Sequence, residues 1–121
     1  IGGIPAEELI PKDRLDAIVD RVRYAGGELV KLFGNGSAYY APAASAIEMA
    51  ESYIRDKKRV IPSAALCEGE FGVDGYFIGV PTVIGAGGIE KILEFKLLPH
   101  EQEMLDKTLK AVENTVAETK L

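Results

Sequence analysis

The succession of periodicities along the chain predicts an α+β domain: two N-terminal helices, a small antiparallel β-meander and a long C-terminal helix. Three observations carry this. Apolar residues recur at helical spacing up to Phe33 and again from Tyr40 to Ile54. β-Branched and aromatic residues then crowd two runs between Val60 and Ile84, divided by a glycine-rich acidic loop. Helical spacing returns after Pro99. Helices and strands that are segregated in this way, and not alternating, indicate α+β layering.

Ile4-Pro-Ala-Glu-Glu-Leu-Ile10 is predicted as a short helical turn, because Pro5 suits the first helical position and Glu7 and Glu8 suit the positive end of the dipole. Pro11 limits it. Asp13 is expected to cap a long helix in which Leu15, Ile18, Val19, Val22, Leu29 and Phe33 keep helical spacing while Arg14, Asp16, Asp20, Arg21 and Glu28 mostly turn outward. Gly26-Gly27 interrupts the pattern. Each glycine costs up to about 1 kcal/mol relative to Ala in a helix interior, so the pair implies close packing, a bend or a helix in two pieces.

Gly34-Asn-Gly36 reads as the corner that ends this helix, since both glycines reach positive φ and Asn35 tolerates it. Ser37 is expected to act as the N-cap of the next helix, with Pro42 early in it, where a missing donor costs nothing. The unpaired N–H groups of such a start belong either to a tight helix-turn-helix corner or to the binding of a carboxylate or phosphate. Tyr40, Ala43, Ala44, Ile47, Ala50 and Ile54 form one face of this second helix, small enough to admit a close neighbour, and core packing is the commonest reason for such a face. Arg55-Asp-Lys-Lys-Arg59 reads as its solvated end, matched to the negative end of the dipole.

Val60 to Leu66 and Tyr76 to Ile84 are predicted strands, joined across Glu68–Gly75, and Ile89 to Leu97 is a third, entered through Gly85-Ala-Gly-Gly88. Pro62 and Pro81 remove ladder donors and therefore belong at edges, bulges or positions whose N–H would point away from a partner. Pro99 opens the last helix, where Leu105, Leu109, Val112 and Val116 share a face, acids come early and Lys120 stands at the end.

Composition narrows the classes of function. With 47% hydrophobic and 27% charged residues the chain is of ordinary globular type and long enough for one domain with its own core. A net charge of −5 argues against a nucleic-acid partner, which needs a basic face. Cys67 is the single cysteine. It excludes an intramolecular disulfide, fits a buried structural thiol, and together with the acidic pI suggests a cytoplasmic location. No apolar run approaches the roughly 18 residues of a membrane span, so no membrane partner is expected. The chain opens on Ile1-Gly-Gly-Ile4 without Met, which reads as the middle of a connection in a longer protein.

Short catalytic motifs are mostly excluded. Gly85-Ala-Gly-Gly88 has Glu90 where a dinucleotide fingerprint needs its third glycine and leads into a strand, and Gly34-Asn-Gly36 has Tyr39 at the matching place. His100-Glu-Gln-Glu-Met104 ends in methionine where a zinc helix needs a second histidine, so no metal site is expected and His100 reads as an exposed first-turn residue. Ser37, Ser45, Ser52 and Ser63 lack a nucleophile-elbow context.

Three longer runs are more specific: GSAYYAPAASAIEM at Gly36–Met49, KKRVIPSAALCEGEFGV at Lys57–Val73 and GVPTVIGAGGIEKILEF at Gly79–Phe95. In this order they resemble the C-terminal half of NAD-dependent malate dehydrogenases of the lactate-dehydrogenase-like type, from about Ile4 to the end. The resemblance implies a parent enzyme, active in the tricarboxylic acid cycle, that passes hydride between NAD and the C2 carbon of malate or oxaloacetate. It also implies that a histidine paired with an aspartate moves the proton and that arginines grip the carboxylates, suited by near-neutral pKa and planar fork respectively. All of these belong upstream of Ile1, and none of Arg14, Arg21, Arg23, Arg55 or Arg59 falls in a matching motif. Residues 1–121 are then the lactate/malate dehydrogenase C-terminal domain without its nucleotide-binding domain, with no catalytic residue of its own and inactive alone.

What the resemblance assigns to this half is a wall of the substrate pocket, Gly36, Ser37 and Ala38, with Pro42 near the nicotinamide ring of the cofactor. The implied partners are malate or oxaloacetate, the absent nucleotide-binding domain, and further copies in a dimer or tetramer. Lactate dehydrogenases carry a tryptophan-containing run where this chain has Ser-Ala-Tyr-Tyr-Ala-Pro, which leans toward malate, and a lactate dehydrogenase domain is the alternative. A reading from another class is a non-catalytic packing module whose exposed apolar face self-associates.

Overall fold

The computed structural model describes residues 1–119, so Lys120, assigned above to the end of the last helix, lies outside the described residues. The chain forms two compact units, Ile1–Ser45 and Ala46–Leu121. In the first, α1 (Ala6–Leu9) and α2 (Lys12–Phe33) each start directly after a proline. Pro11, not Asp13, stands at the capping position of α2, with φ −53° and ψ 141° and no side-chain cap. The proline fixes the extended entry by itself, and Asp13 falls inside the first turn, where its charge still favours the dipole.

Helix α2 runs unbroken through Gly26-Gly27, neither bent into two pieces nor closely packed there, since a Cβ on either glycine would meet nothing within 4 Å. The cost of two glycines is small beside the cooperativity of 22 residues. Arg21 brackets the pair by reaching Glu28 with two parallel bonds, Nε to Oε2 at 3.1 Å and Nη2 to Oε1 at 2.8 Å. No residue of α2 is buried.

Helix α3 (Tyr40–Ile54) leads to the sheet of the second unit, in which β1 (Arg59–Glu68), β2 (Asp74–Gly85) and β3 (Gly88–Ile92) pair antiparallel in the order β1-β2-β3, followed by α4 (Pro99–Thr119). Ala65, Cys67, Val73, Ile78 and Val80 form the core, against which Leu105, Leu109 and Val112 of α4 pack. This is the predicted α+β arrangement.

Strand β3 stops at Ile92, short of the expected Leu97, and Pro81 explains why. Leu93 donates its N–H to the Pro81 carbonyl at 2.9 Å, which shows that this residue's backbone polar groups face β3. Pro81 has no N–H to return, so the ladder ends. Its neighbour in register is Pro62, whose missing donor consequently lies on the free edge of β1. The chain after Leu93 turns instead to the β1–β2 connection: the Glu94 carboxylate accepts the Phe71 N–H at 2.9 Å, and Phe95 meets Phe71 edge to face at 5.7 Å. These contacts hold Phe71 at a φ of 53°, in the left-handed region.

The face of α3 predicted as apolar packing, Tyr40, Ala43, Ala44, Ile47, Ala50 and Ile54, is exposed throughout. The helix is fixed by polar contacts from its other side. Ser52, fully buried, donates to the Ile84 carbonyl at 2.6 Å and accepts the Arg59 N–H at 3.2 Å. The cations of Arg55–Arg59 are each paired: Arg55 and Lys57 with Glu51, Arg59 with Glu48, and Lys58 with Asp56 and Glu90. This is the solvated, neutralised helix end expected from the sequence.

Lys58 completes a clasp over the β2–β3 turn. Its Nζ lies 2.6 Å from Glu90 and 3.0 Å from Asp56, while Asp56 accepts the Ala86 N–H at 2.8 Å and Glu90 the Gly87 N–H at 3.2 Å. A side chain on Gly85 would collide with both carboxylates.

Two outcomes follow from this geometry. Ser52→Ala strands two backbone groups, one of them deeply buried, and is expected to cost about 2–3 kcal/mol in equilibrium urea unfolding; a loss under 0.5 kcal/mol would mean that water replaces the hydroxyl. The bond from Ala86, then Lys58, hold Asp56 below the usual carboxylate pKa, and Lys58, then Gly87, do the same for Glu90, while Glu90 and Asp56 raise Lys58. Lowered carboxylates contribute fully above their ordinary range and lose that contribution as pH falls below it through their lowered values, whereas the lysine's contribution is complete below its ordinary pKa and is lost as pH rises through its raised one. Amide exchange at Ala86 and Gly87, corrected for intrinsic rate, should therefore lose protection in acid before the core does.

Candidate functional site

The three positions assigned to a pocket wall, and Pro42 assigned to the cofactor, lie in one stretch between α2 and the first turn of α3. Gly34 ends α2 in the left-handed region, φ 74° and ψ −21°, with its N–H on the Val30 carbonyl at 3.1 Å. Gly36 is left-handed as well, at φ 82°. Between them the chain reverses, as two glycines around an asparagine allow.

Ser37 is not the cap of α3. The Ser37 carbonyl accepts the Tyr39 N–H at 2.9 Å, a tight local turn that keeps residues 37–39 out of the helix, and the first helical bond runs from Ala43 to the Tyr39 carbonyl at 3.0 Å. Tyr39 thus occupies the capping place, Pro42 is the third helical residue, and the Ser37 hydroxyl has no hydrogen bond among the described residues. Gly36, Ser37 and Pro42 are exposed and Ala38 is half-buried. At the head of α3 the N–H groups of Tyr40 and Ala41 have no carbonyl within their own helix, as for every helix start, and Pro42 has none to place.

Aromatic rings brace this corner. Tyr40 lies 5.7 Å from Phe33 at the end of α2 and 4.7 Å from Tyr39, centroid to centroid. The sequence shows the parts of this brace separately, the Tyr39-Tyr40 pair within a longer motif and Phe33 at helical spacing on α2. Seven positions separate Phe33 from Tyr40, and only the glycine reversal brings them together.

The stretch can bind but has no group for proton transfer near neutral pH. His100, the single histidine, lies exposed in the first turn of α4. There it lines a groove of about 450 Å³ walled by Phe71, Pro81, Phe95, Leu97 and Met104. The Cys67 thiol is fully buried, which raises its pKa and leaves it inert. Arg21, Arg55 and Arg59 are engaged by Glu28, Glu51 and Glu48. No group of His, Cys, Asp and Glu suited to a metal occurs among the described residues, and no helix is long and apolar enough to cross a membrane.

Comparison with known proteins bears on this arrangement. The profile of the lactate/malate dehydrogenase alpha/beta C-terminal domain matches residues 1–120. Malate dehydrogenase 1 of Anaeromyxobacter dehalogenans is 59% identical over all 121 residues, which span 39% of that relative. Among solved structures, the malate dehydrogenase of Salinibacter ruber superposes with a TM-score of 0.91 at 44% identity, over 99% of this chain and 39% of that one. The lactate dehydrogenase of Cryptosporidium parvum, solved with lactic acid and nicotinamide adenine dinucleotide, gives 0.86 at 42% identity, over 98% of this chain and 39% of that one. The chain therefore spans less than half the length of the proteins it matches.

The corner's geometry can be tested on its glycines. Gly36→Ala meets no neighbour within 4 Å, so its cost is that of a left-handed alanine, about 1 kcal/mol. Gly26→Ala, equally free of neighbours but inside α2, should stabilise by up to about 1 kcal/mol. Urea denaturation of the pair should show opposite signs, and equal signs would contradict the backbone described for Gly36.

Proposed function

Because this chain belongs to the lactate/malate dehydrogenase family, as its alpha/beta C-terminal domain, we propose that the protein containing it is an NAD-dependent malate dehydrogenase interconverting malate and oxaloacetate. The observation that carries this is the 59% identity, without loss of coverage, to a malate dehydrogenase. Residues 1–121 act with an upstream nucleotide-binding domain, in a homo-oligomer of two or four chains. A cytoplasmic location agrees with the lone buried thiol.

Within the pocket, Gly36, Ser37 and Ala38 form one wall and Pro42 faces the nicotinamide ring. The residues suit these places. Gly36 at positive φ brings bare backbone to the pocket, the Ser37 hydroxyl is uncommitted within the chain, and Pro42 offers an exposed apolar ring. The N–H groups at the head of α3 favour a carboxylate of a dicarboxylic substrate. Bound NAD supplies the hydride acceptor for the C2 carbon. This chain's part is to position and to exclude water, since none of its groups around the stretch moves a proton at neutral pH.

The 42% identity to a lactate dehydrogenase of known structure favours a second reading, in which the substrate is lactate. Steady-state oxidation of NADH by the full-length protein decides between them. Oxaloacetate is expected to give the higher kcat/KM, pyruvate would reverse the assignment, and the 121-residue chain alone should show no turnover with either.

A further inference from the structure

Two asparagines occur in the chain, and their surroundings differ in the features that govern the chemistry of a side-chain amide. Asn114 lies inside α4, where the N–H of the next residue belongs to the helix ladder and that residue, Thr115, is β-branched. Asn35 lies in the exposed bend between α2 and α3 and is followed by Gly36. Neither the Gly36 N–H nor the Asn35 side chain has a hydrogen-bond partner among the described residues. Gly36 has no Cβ to shield its nitrogen, and the space a Cβ would take has no neighbour within 4 Å.

We propose that Asn35 is a site of spontaneous deamidation, in which the next backbone nitrogen attacks the side-chain amide. The Gly36 nitrogen gives up its proton and bonds to Cγ of Asn35, the Cγ–Nδ2 bond breaks, and the departing NH2 takes up a proton and leaves as ammonia. Water then opens the five-membered imide at one of its two C–N bonds. Opening at Cγ restores the main chain and leaves an aspartate. Opening at the main-chain carbonyl leaves an isoaspartate, in which the chain runs on through Cγ. Water is the only co-reactant and no electron is transferred.

Either product carries a carboxylate where an amide stood. Isoaspartate also lengthens the main chain by a carbon inside the reversal that brings Phe33 within 5.7 Å of Tyr40. The consequence for activity rests on the reading of Gly36, Ser37 and Ala38 as a wall of the pocket, because a negative charge beside that wall opposes a dicarboxylate.

Full-length protein is aged at physiological temperature in mildly alkaline buffer and sampled by peptide mapping with mass spectrometry, while Cys67 stays unreactive to thiol reagents as the mark of a folded core. Asn35 is expected to convert more than about tenfold faster than Asn114, and faster still as pH rises, since glycine leaves open the approach that a β-branched neighbour obstructs. Asn35 persisting as long as Asn114 would overturn the proposal. The replacement Asn35→Gln, whose longer side chain disfavours ring closure, should abolish conversion at this position and leave that of Asn114 unchanged. The pocket reading is tested separately with Asn35→Asp, which carries the product's charge from the start. Its KM for oxaloacetate is expected to rise about threefold or more with little change in kcat. An unchanged KM would overturn the effect on the pocket, whereas the ageing of the unsubstituted protein decides the modification by itself.

Discussion

Strand β2 is the part of the Ala46–Leu121 unit on which the rest depends, because it is held along both edges and on one face. A slip of one residue would exchange Ile78, Val80 and Thr82 for Phe77, Gly79 and Pro81 on the inner face. Hydrophobic pattern alone does not forbid this, since both faces are apolar. Polar contacts do. The Thr82 hydroxyl donates to the Ile61 carbonyl at 2.8 Å and lies 2.7 Å from the Ser63 hydroxyl, and Ser52 selects the Ile84 carbonyl. Each contact exists in one register only, so a few buried hydroxyls decide what the apolar residues leave ambiguous.

The Ile1–Ser45 unit is organised differently. With no buried residue, α2 draws little from tertiary packing, and its order rests on propensity, on surface pairs such as Arg21–Glu28 and on its length. Exposed pairs of that kind contribute little. Ile18, Val19, Val22 and Leu32 nevertheless keep an apolar character that no solvent-facing helix requires. The relatives that the chain matches are more than twice as long.

Most of the fold was legible in the sequence because its elements are set by local signals. Proline and glycine placed the starts of α1 and α4 and the corner at Gly34–Gly36 to within a residue or two, Asp13 placed the start of α2 nearly as closely though it is not the cap, and the two long strands stand where β-branched residues accumulate. Two readings failed for want of non-local information: the end of β3 depends on which way the Pro81 backbone faces, and the exposure of the α3 face on which side Ser52 finds a partner. The caps of α2 and α3 failed locally, where Pro11 and a turn between Ser37 and Tyr39 take the place of the expected side-chain caps. The candidate site was less legible. The roles given to Gly36, Ser37, Ala38 and Pro42 came from resemblance, because the residues themselves leave a tight corner and an anion-binding helix start both open and offer no distinctive side chain to choose between them.

That same property shapes what the corner can be. Its form comes from a left-handed Gly34, a left-handed Gly36, a local turn at Ser37 and the tilted ring contact of Phe33 with Tyr40, all within a dozen residues. A corner determined so locally holds its conformation before any ligand arrives, and groups that are pre-organised in this way lose little freedom on binding. Proton transfer cannot be supplied in this way, because it needs a titratable side chain whose pKa is tuned by surroundings. A dehydrogenase that takes one wall of its pocket from this corner must therefore take its acid–base chemistry from chain that can surround a side chain, which an exposed turn between two helices does not do.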